Sequence, residues 1–434
     1  MPNAMAENPL DGGFAASVRR RSSFAVRFWA CWGLAVVCLG PLCGCAPEDG
    51  DVVRASEVSR YLGDAAFRRQ ALEASLVNPQ NTYARLRLES YTEDGWGRLP
   101  LWNPRSTPVL ELNAEPPSPE ALGPGMALLP DDAGPQALLA LGEQAFFRYP
   151  MQPGDYWRGA LEGVQSAQRY GLWSDESWGV GGLMWVALPD GSVETAATCA
   201  TCHAAPVDGQ VVAGLGNPLL DVGALTAHWY GQLDSPSRAW GPGRLDVTGD
   251  GVENPVTIAD LRGSRSQQHL HRTATLHNDL VALAIRIETL LITSHGQALR
   301  PPRQVAMGLA LYLYQGMEPE PVRAPDELSR QGRLIFERLC VGCHSGPGGA
   351  GPAVPVEAVG GDAAVALSPA RATGYWRVPS LRGVAQRGRL FADGQTEGLS
   401  ALFEARGDGE QAHPFGLELD NGERLALIAY LETF

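Results

Sequence analysis

The distribution of apolar residues divides this chain before any single motif does. Arg19, Arg20 and Arg21 are followed by an apolar run over 28–44. That run is short for a membrane span and is shaped like an export signal. Over 82–89 apolar and polar residues alternate, which predicts a strand and makes 45–134 a β-containing segment. The Pro-rich stretch 102–124 reads as loop. Farther on the pattern turns helical. Gly142-x-x-x-Phe146 and Gly332-x-x-x-Phe336 lie in helical stretches, and apolar helices carry Leu311-Tyr312-Leu313 and Ala429-Tyr430-Leu431. Between them, Asp260-Leu261-Arg262-Gly263 is answered by Ser380-Leu381-Arg382-Gly383. The chain therefore repeats itself, with units at 135–317 and 326–434 and a Pro- and acid-rich linker over 317–327. The first unit carries a long insertion after Phe146. The expected fold is mainly α, two helical units with long loops plus the β-containing N-terminal segment.

Composition changes the picture in two ways. With 434 residues there is room for two or three domains, and 51 Gly and 33 Pro imply much loop. The net charge of −14 becomes more negative once the basic leader is set aside. That excludes a nucleic-acid binder and fits a soluble face beside a membrane or a basic redox partner.

Cysteine usage narrows the class further. Of eight Cys, Cys31, Cys38 and Cys43 lie in the leader. Leu42-Cys43-Gly44-Cys45 resembles the lipobox of bacterial lipoproteins, which implies removal of 1–44, lipid on Cys45 and a place on the periplasmic side of a bacterial membrane, the outer membrane by preference. The alternative is an uncleaved membrane anchor. The remaining four, Cys199, Cys202, Cys340 and Cys343, all fall in C-x-x-C-H motifs completed by His203 and His344, so no Cys is left for a structural disulfide. Two thiols one helical turn apart can each bond a haem vinyl group, and the adjacent His then faces the iron. A zinc knuckle or a dithiol would not need that His twice. Two covalent c-type haems are expected, making the two units cytochrome c-like haem domains.

The sixth iron ligands are read from the repeat. No Met follows Met317, and His413 is the only His downstream of His344. His413 precedes Tyr430 by as many positions as His295 precedes Tyr312. His295 and His413 are therefore the expected distal ligands, the alternative being surface or capping histidines. His271, which matches Phe391, is the next candidate ligand or distal acid/base, and His228 the third. Arg262 and Arg382 could bind haem propionates or form loop ion pairs. Asp246, Thr248, Asp250 and Asn254 follow calcium-loop spacing with Gly251 at the sixth position, but Thr257 replaces the twelfth-position Glu. A calcium site and a metal-free Asp/Gly turn both fit.

In the second unit, Val378-Pro379-Ser380-Leu381-Arg382-Gly383-Val384 and Leu390-Phe391-Ala392-Asp393-Gly394 resemble the bacterial di-haem cytochrome c peroxidase superfamily. The resemblance covers roughly 135–434. It implies two c-type haem domains, an interdomain calcium site and electron flow from one haem to a peroxide-reducing one. Ala392 stands where the family has His, and the family's Met ligand and peroxide-cleaving Glu have no counterpart. The leading expectation is an electron carrier in the periplasm working with a redox partner protein. The alternative is a peroxide-reducing enzyme, with His271 or His228 as its base.

Overall fold

Each of the two long helix pairs crosses at a point where only a glycine fits. The structure is a computed structural model and describes residues 55–91, 95–107, 110–246, 254–293, 298–359, 363–392, 394, 396–404 and 413–434. The α-helices in chain order are α1 Ala55–Gly63, α2 Ala65–Ser75, α3 Thr82–Ser90, α4 Pro135–Arg148, α5 Val164–Arg169, α6 Cys199–His203 and α7 Val222–Trp229. They continue with α8 Leu280–Glu288, α9 Leu290–Thr293, α10 Arg303–Leu311, α11 Glu327–Leu339, α12 Ala364–Leu367, α13 Gly398–Leu402 and α14 Asn421–Leu431. Helix α4 packs on α10, and α11 packs on α14. A Cβ on Gly142 would lie 1.9 Å from the Gly308 carbonyl oxygen, and one on Gly332 would lie 1.8 Å from that of Ala426. One turn later an aromatic edge closes each crossing. Phe146 meets Tyr312 at 5.7 Å between ring centroids, and Phe336 meets Tyr430 at 5.2 Å. Such edge-to-face pairs add to the area they bury.

The loops between the helices repeat as closely. Gly263 and Gly383 are both left-handed (φ 67° and 65°), and each opens a short 3-10 turn, Ser264–Ser266 and Val384–Gln386. Two-stranded hairpins follow in identical register. His269 pairs with His277 and Leu270 with Leu276; Arg389 pairs with Glu397 and Leu390 with Thr396. The residue after each first strand, His271 or Phe391, has φ 62°, and Ala274 and Gly394 are left-handed as well. All these positions correspond at one constant offset in numbering.

The two halves hold each other through reciprocal main-chain bonds. Arg377 N–H donates to the Arg272 carbonyl (2.7 Å), and at the matching place Thr257 N–H donates to the Ala392 carbonyl (3.0 Å). Residues 53–434 accordingly form one unit. The insertion between α4 and α6 builds a three-stranded antiparallel sheet, Gln152–Pro153, Val193–Ala197 and Met184–Ala187, and its Trp157 and Tyr170 pack in a second core with Leu110, Leu122 and Leu225 from outside it.

The expected strand over 82–89 is instead helix α3. The Asn81 side chain accepts from Ala84 N–H and caps it, and Arg87 stacks over the Tyr83 ring one turn earlier at 3.4 Å. Ala, Leu and Arg favour a helix, and burial does not follow the alternation: Leu86 is exposed while Arg87 is buried. The segment before 135 is helical rather than β-containing. Among the described residues its only ladder contacts are isolated bridges such as Leu76 with Leu276. It ties both halves together. Tyr61 and Tyr91 donate to the buried carboxylate of Glu288, which also pairs with Arg303 at 3.2 Å. Asn78 and Thr82 bond the carbonyls of Ala372 and Pro369. The expected mainly α architecture with some β thus holds, the β residues lying in the small sheets after 150. Among the described residues no helix is long and apolar enough to cross a membrane. The leader 1–44 and Cys45 lie outside the described residues.

Candidate functional site

Helix α11 delivers the second C-x-x-C-H motif to a cavity. Asp326 caps the helix at its start, in a reciprocal box with Ser329. At its end Cys343 and His344 N–H groups both bond the Cys340 carbonyl (3.1 and 3.0 Å), so the motif is a single turn that sets both thiols and the imidazole on one wall. The cavity measures about 550 Å³, within the range of cofactor sites. Cys340, Cys343 and His344 line it together with apolar side chains that include Phe336, Leu381, Leu390 and Phe403. His344 Nδ1 donates to the Gly349 carbonyl at 2.5 Å. That bond fixes the tautomer and leaves Nε2 with a free lone pair, the arrangement a metal-ligating imidazole uses.

His413 lines the same cavity. Its Nδ1 is buried with no partner among the described residues, and its ring packs 5.8 Å from Phe391 and 5.2 Å from Phe415. Burial and the nearby charge of His344 push it down to about 4, so it is a neutral donor at physiological pH. Burial pushes the Cys340 thiol up to about 11 and those of Cys199 and Cys202 to about 12. Such thiols are poor redox nucleophiles.

The first motif is helix α6, capped by Thr198 in a reciprocal box with Thr201. His203 Nδ1 donates to the Ala259 carbonyl at 2.8 Å, again leaving Nε2 free. Ala259 and Asp260 belong to the wall of the cavity that His344 faces. A segment of the first half that orients its motif histidine thus forms part of the second motif's pocket.

The other sequence candidates fall out differently. His271 is enclosed beside Tyr83 (5.3 Å between rings), and its Nε2 accepts from Arg286 Nε at 2.9 Å. The lone pair wanted for a ligand or a base is already used there. His228 lies on the exposed face of α7, 6.4 Å from the Tyr170 ring. The Arg262 guanidinium pairs with the buried Asp260 carboxylate at 2.8 Å and also reaches Gln386 across the halves. Arg382 pairs with Glu318 at 3.4 Å on a half-exposed surface. Neither borders the cavity at the second motif. The arginines on the cavity wall are Arg272, Arg377, Arg387 and Arg389, which the sequence reading passed over. His295, Thr248 and Asp250 lie outside the described residues. Asp246 and Asn254 close a hairpin loop flanked by the strands Arg244–Leu245 and Val256–Thr257, where Asn254 N–H bonds the Asp246 carboxylate at 3.0 Å. Those flanks are strands, not the helices of an EF-hand. Among the described residues no three or more His, Cys, Asp or Glu side chains gather as a metal cluster.

No family model matches the chain, and no curated protein matches it. Among solved structures, Kuenenia stuttgartiensis hydrazine synthase pressurised with 20 bar xenon is similar at a TM-score of 0.34 and 17% identity, over 68% of this chain and 92% of that one. A score that low is short of a shared fold.

Proposed function

We propose that this protein is an exported di-haem c-type cytochrome that carries electrons on the periplasmic side of a bacterial membrane. The observation that carries the reading is the cavity bordered at once by Cys340, Cys343, His344 and His413. It offers two thiols, two imidazoles and a broad apolar wall, which suits an iron that brings its own four equatorial nitrogens. When bound, haem supplies a one-electron Fe(III)/Fe(II) couple. Cys340 and Cys343 would tether it, His344 and His413 would hold the iron, and Gly349 orients His344 through Nδ1. Cys199, Cys202 and His203 would take the same roles in the first half, with Ala259 orienting His203 and His295 as the expected second ligand. With two imidazoles committed to each iron there would be no place for peroxide, which favours a carrier over a peroxide-reducing enzyme. The bond from Arg286 to His271 Nε2 and the place of His228 on an exposed helix face weigh the same way. Lipid on Cys45 would hold the protein at the outer membrane, and its acidity suits a basic redox partner.

Mass spectrometry and optical spectra of the mature protein test the reading. Two covalent haem additions are expected, one lost in Cys199→Ala and the other in Cys343→Ala. A mature chain with free thiols in either motif and no covalent haem overturns it.

A further inference from the structure

The repeat is broken at one pair of positions that meet across the halves. At its constant offset, Asp260 corresponds to Ser380 and Arg387 to Gln267. Arg387 Nε donates to the Asp260 carboxylate at 3.1 Å, an ion pair between the second half and the first. The twin positions make no such tie. The Ser380 hydroxyl bonds the Gly348 carbonyl at 3.1 Å, and Gln267 Oε1 is buried with no partner among the described residues.

The Asp260 side chain is buried, and its carboxylate is fully engaged. It accepts from Arg262 N–H at 2.9 Å, from Arg262 Nε and Nη2 at 3.0 and 2.8 Å, and from Arg387. Arg262 also reaches Gln386 of the second half, and Arg387 continues to the carbonyls of Ser380 and Arg382 at 2.9 Å each. One carboxylate and two guanidinium groups thus form a triad with a single net positive charge. Removing one member of such a buried group leaves another unpaired, so the group holds its geometry firmly.

The triad stands between the two motifs. Asp260 follows Ala259, whose carbonyl orients His203 through Nδ1. Burial pushes His203 down, while that carbonyl and the Asp260 charge push it up. On the other side Asp260 and Arg387 both border the cavity that His344 faces. Burial pushes His344 down, the Gly349 carbonyl pushes it up, and the Arg387 charge pushes it down again. The pair therefore acts on the first imidazole through its carboxylate and on the second through its guanidinium. In so enclosed a place a charge is felt more strongly than in water.

We propose that the Asp260–Arg387 pair is a positioning element shared by the two motif sites, fixing the anchor of His203 to the wall of the His344 cavity and setting the electron affinity of both centres. The proposal rests on the haem reading above and adds to it. The two centres are poised by one buried charge pair, so a change in that pair reaches both.

The test is potentiometry of the mature di-haem protein as Asp260→Asn, Arg387→Gln and the double variant, each weighed for covalent haem. Removing a negative charge disfavours the ferric form. Asp260→Asn should therefore raise the potential of both haems, moving each oxidation equilibrium toward ferrous by about tenfold, which is 59 mV for one electron. Arg387→Gln should lower both by a similar factor. The double variant restores the net charge of the triad and should return both haems close to wild type. A merely loosened wall would instead admit water, favour ferric iron in every variant and do so most in the double. If Asp260→Asn alone fails to fold, the comparison of Arg387→Gln with the double variant still decides. Unchanged potentials in the single variants, a shift confined to one haem, a double variant no closer to wild type than Arg387→Gln, or loss of haem from all three overturns the proposal. Wild-type protein without covalent haem instead overturns the reading on which it rests.

Discussion

Replacing Gly332 with Ala probes the helix crossing that frames the cavity. The added Cβ would lie 1.8 Å from the Ala426 carbonyl oxygen, 2.4 Å from its carbon and 2.9 Å from Tyr430 Cβ. Two of these atoms are backbone of α14, so no side chain can swing clear. Restoring contacts of about 3.5 Å requires the helices to part by roughly 1.5 Å. Overpacking of this kind costs on the order of 1–3 kcal/mol. Parting the helices also loosens the Phe336–Tyr430 contact, worth about 1 kcal/mol. The better helix propensity of Ala returns about 1 kcal/mol. The expected net loss is about 1–3 kcal/mol, read as a lower urea midpoint, and Gly142→Ala should do the same at the other crossing. Gly63→Ala is the control, since a Cβ there meets nothing within 4 Å; it should be neutral or slightly stabilising. If Gly332→Ala unfolds at the wild-type midpoint, the close crossing does not exist as described.

Three further outcomes are expected. His413→Ala should turn the haem at His344 high-spin and leave the other unchanged in the EPR spectrum; two low-spin haems in the variant would remove His413 from the iron. Burial raises Tyr61, Tyr91, Tyr149 and Tyr156 above their ordinary value. Their contribution is therefore complete below the unfolded-state value of about 10 and is lost as pH rises from there through their raised folded values, so the urea midpoint should fall steadily above about pH 10, and a flat profile there would contradict their burial. If Asp246 and Asn254 belong to a calcium loop, EGTA should lower the thermal midpoint, because metal held only by the folded state stabilises it; an unchanged melt would favour the metal-free turn.

Much of this architecture was legible in the sequence because it rests on glycine and aromatic residues at fixed spacing. Gly142 with Phe146, Gly332 with Phe336, and the two Tyr residues marked the crossings, and the paired Leu-Arg-Gly segments marked the left-handed turns. The match of His271 to Phe391 held down to a shared φ of 62°, yet it did not carry a shared role. Helix α3 escaped the pattern because its apolar residues do not mark its buried face: Leu86 is exposed while Arg87 is buried. The repeat of their motif suggested one role for Arg262 and Arg382, while their ion partners, Asp260 and Glu318, differ. Nothing local marks Asp260 and Arg387 as a pair. They are remote in sequence, and only the fold brings them together.

The two reciprocal bonds between the halves are purely main-chain. Thr257 N–H meets the Ala392 carbonyl, and Arg377 N–H meets that of Arg272. On one side the Thr257 hydroxyl adds bonds to the Phe391 and Ala392 carbonyls at 2.6 and 3.1 Å. A backbone bond itself places no demand on the side chain beside it. The same main-chain join can therefore carry a hydroxyl and a methyl in one place and two guanidinium groups in the other.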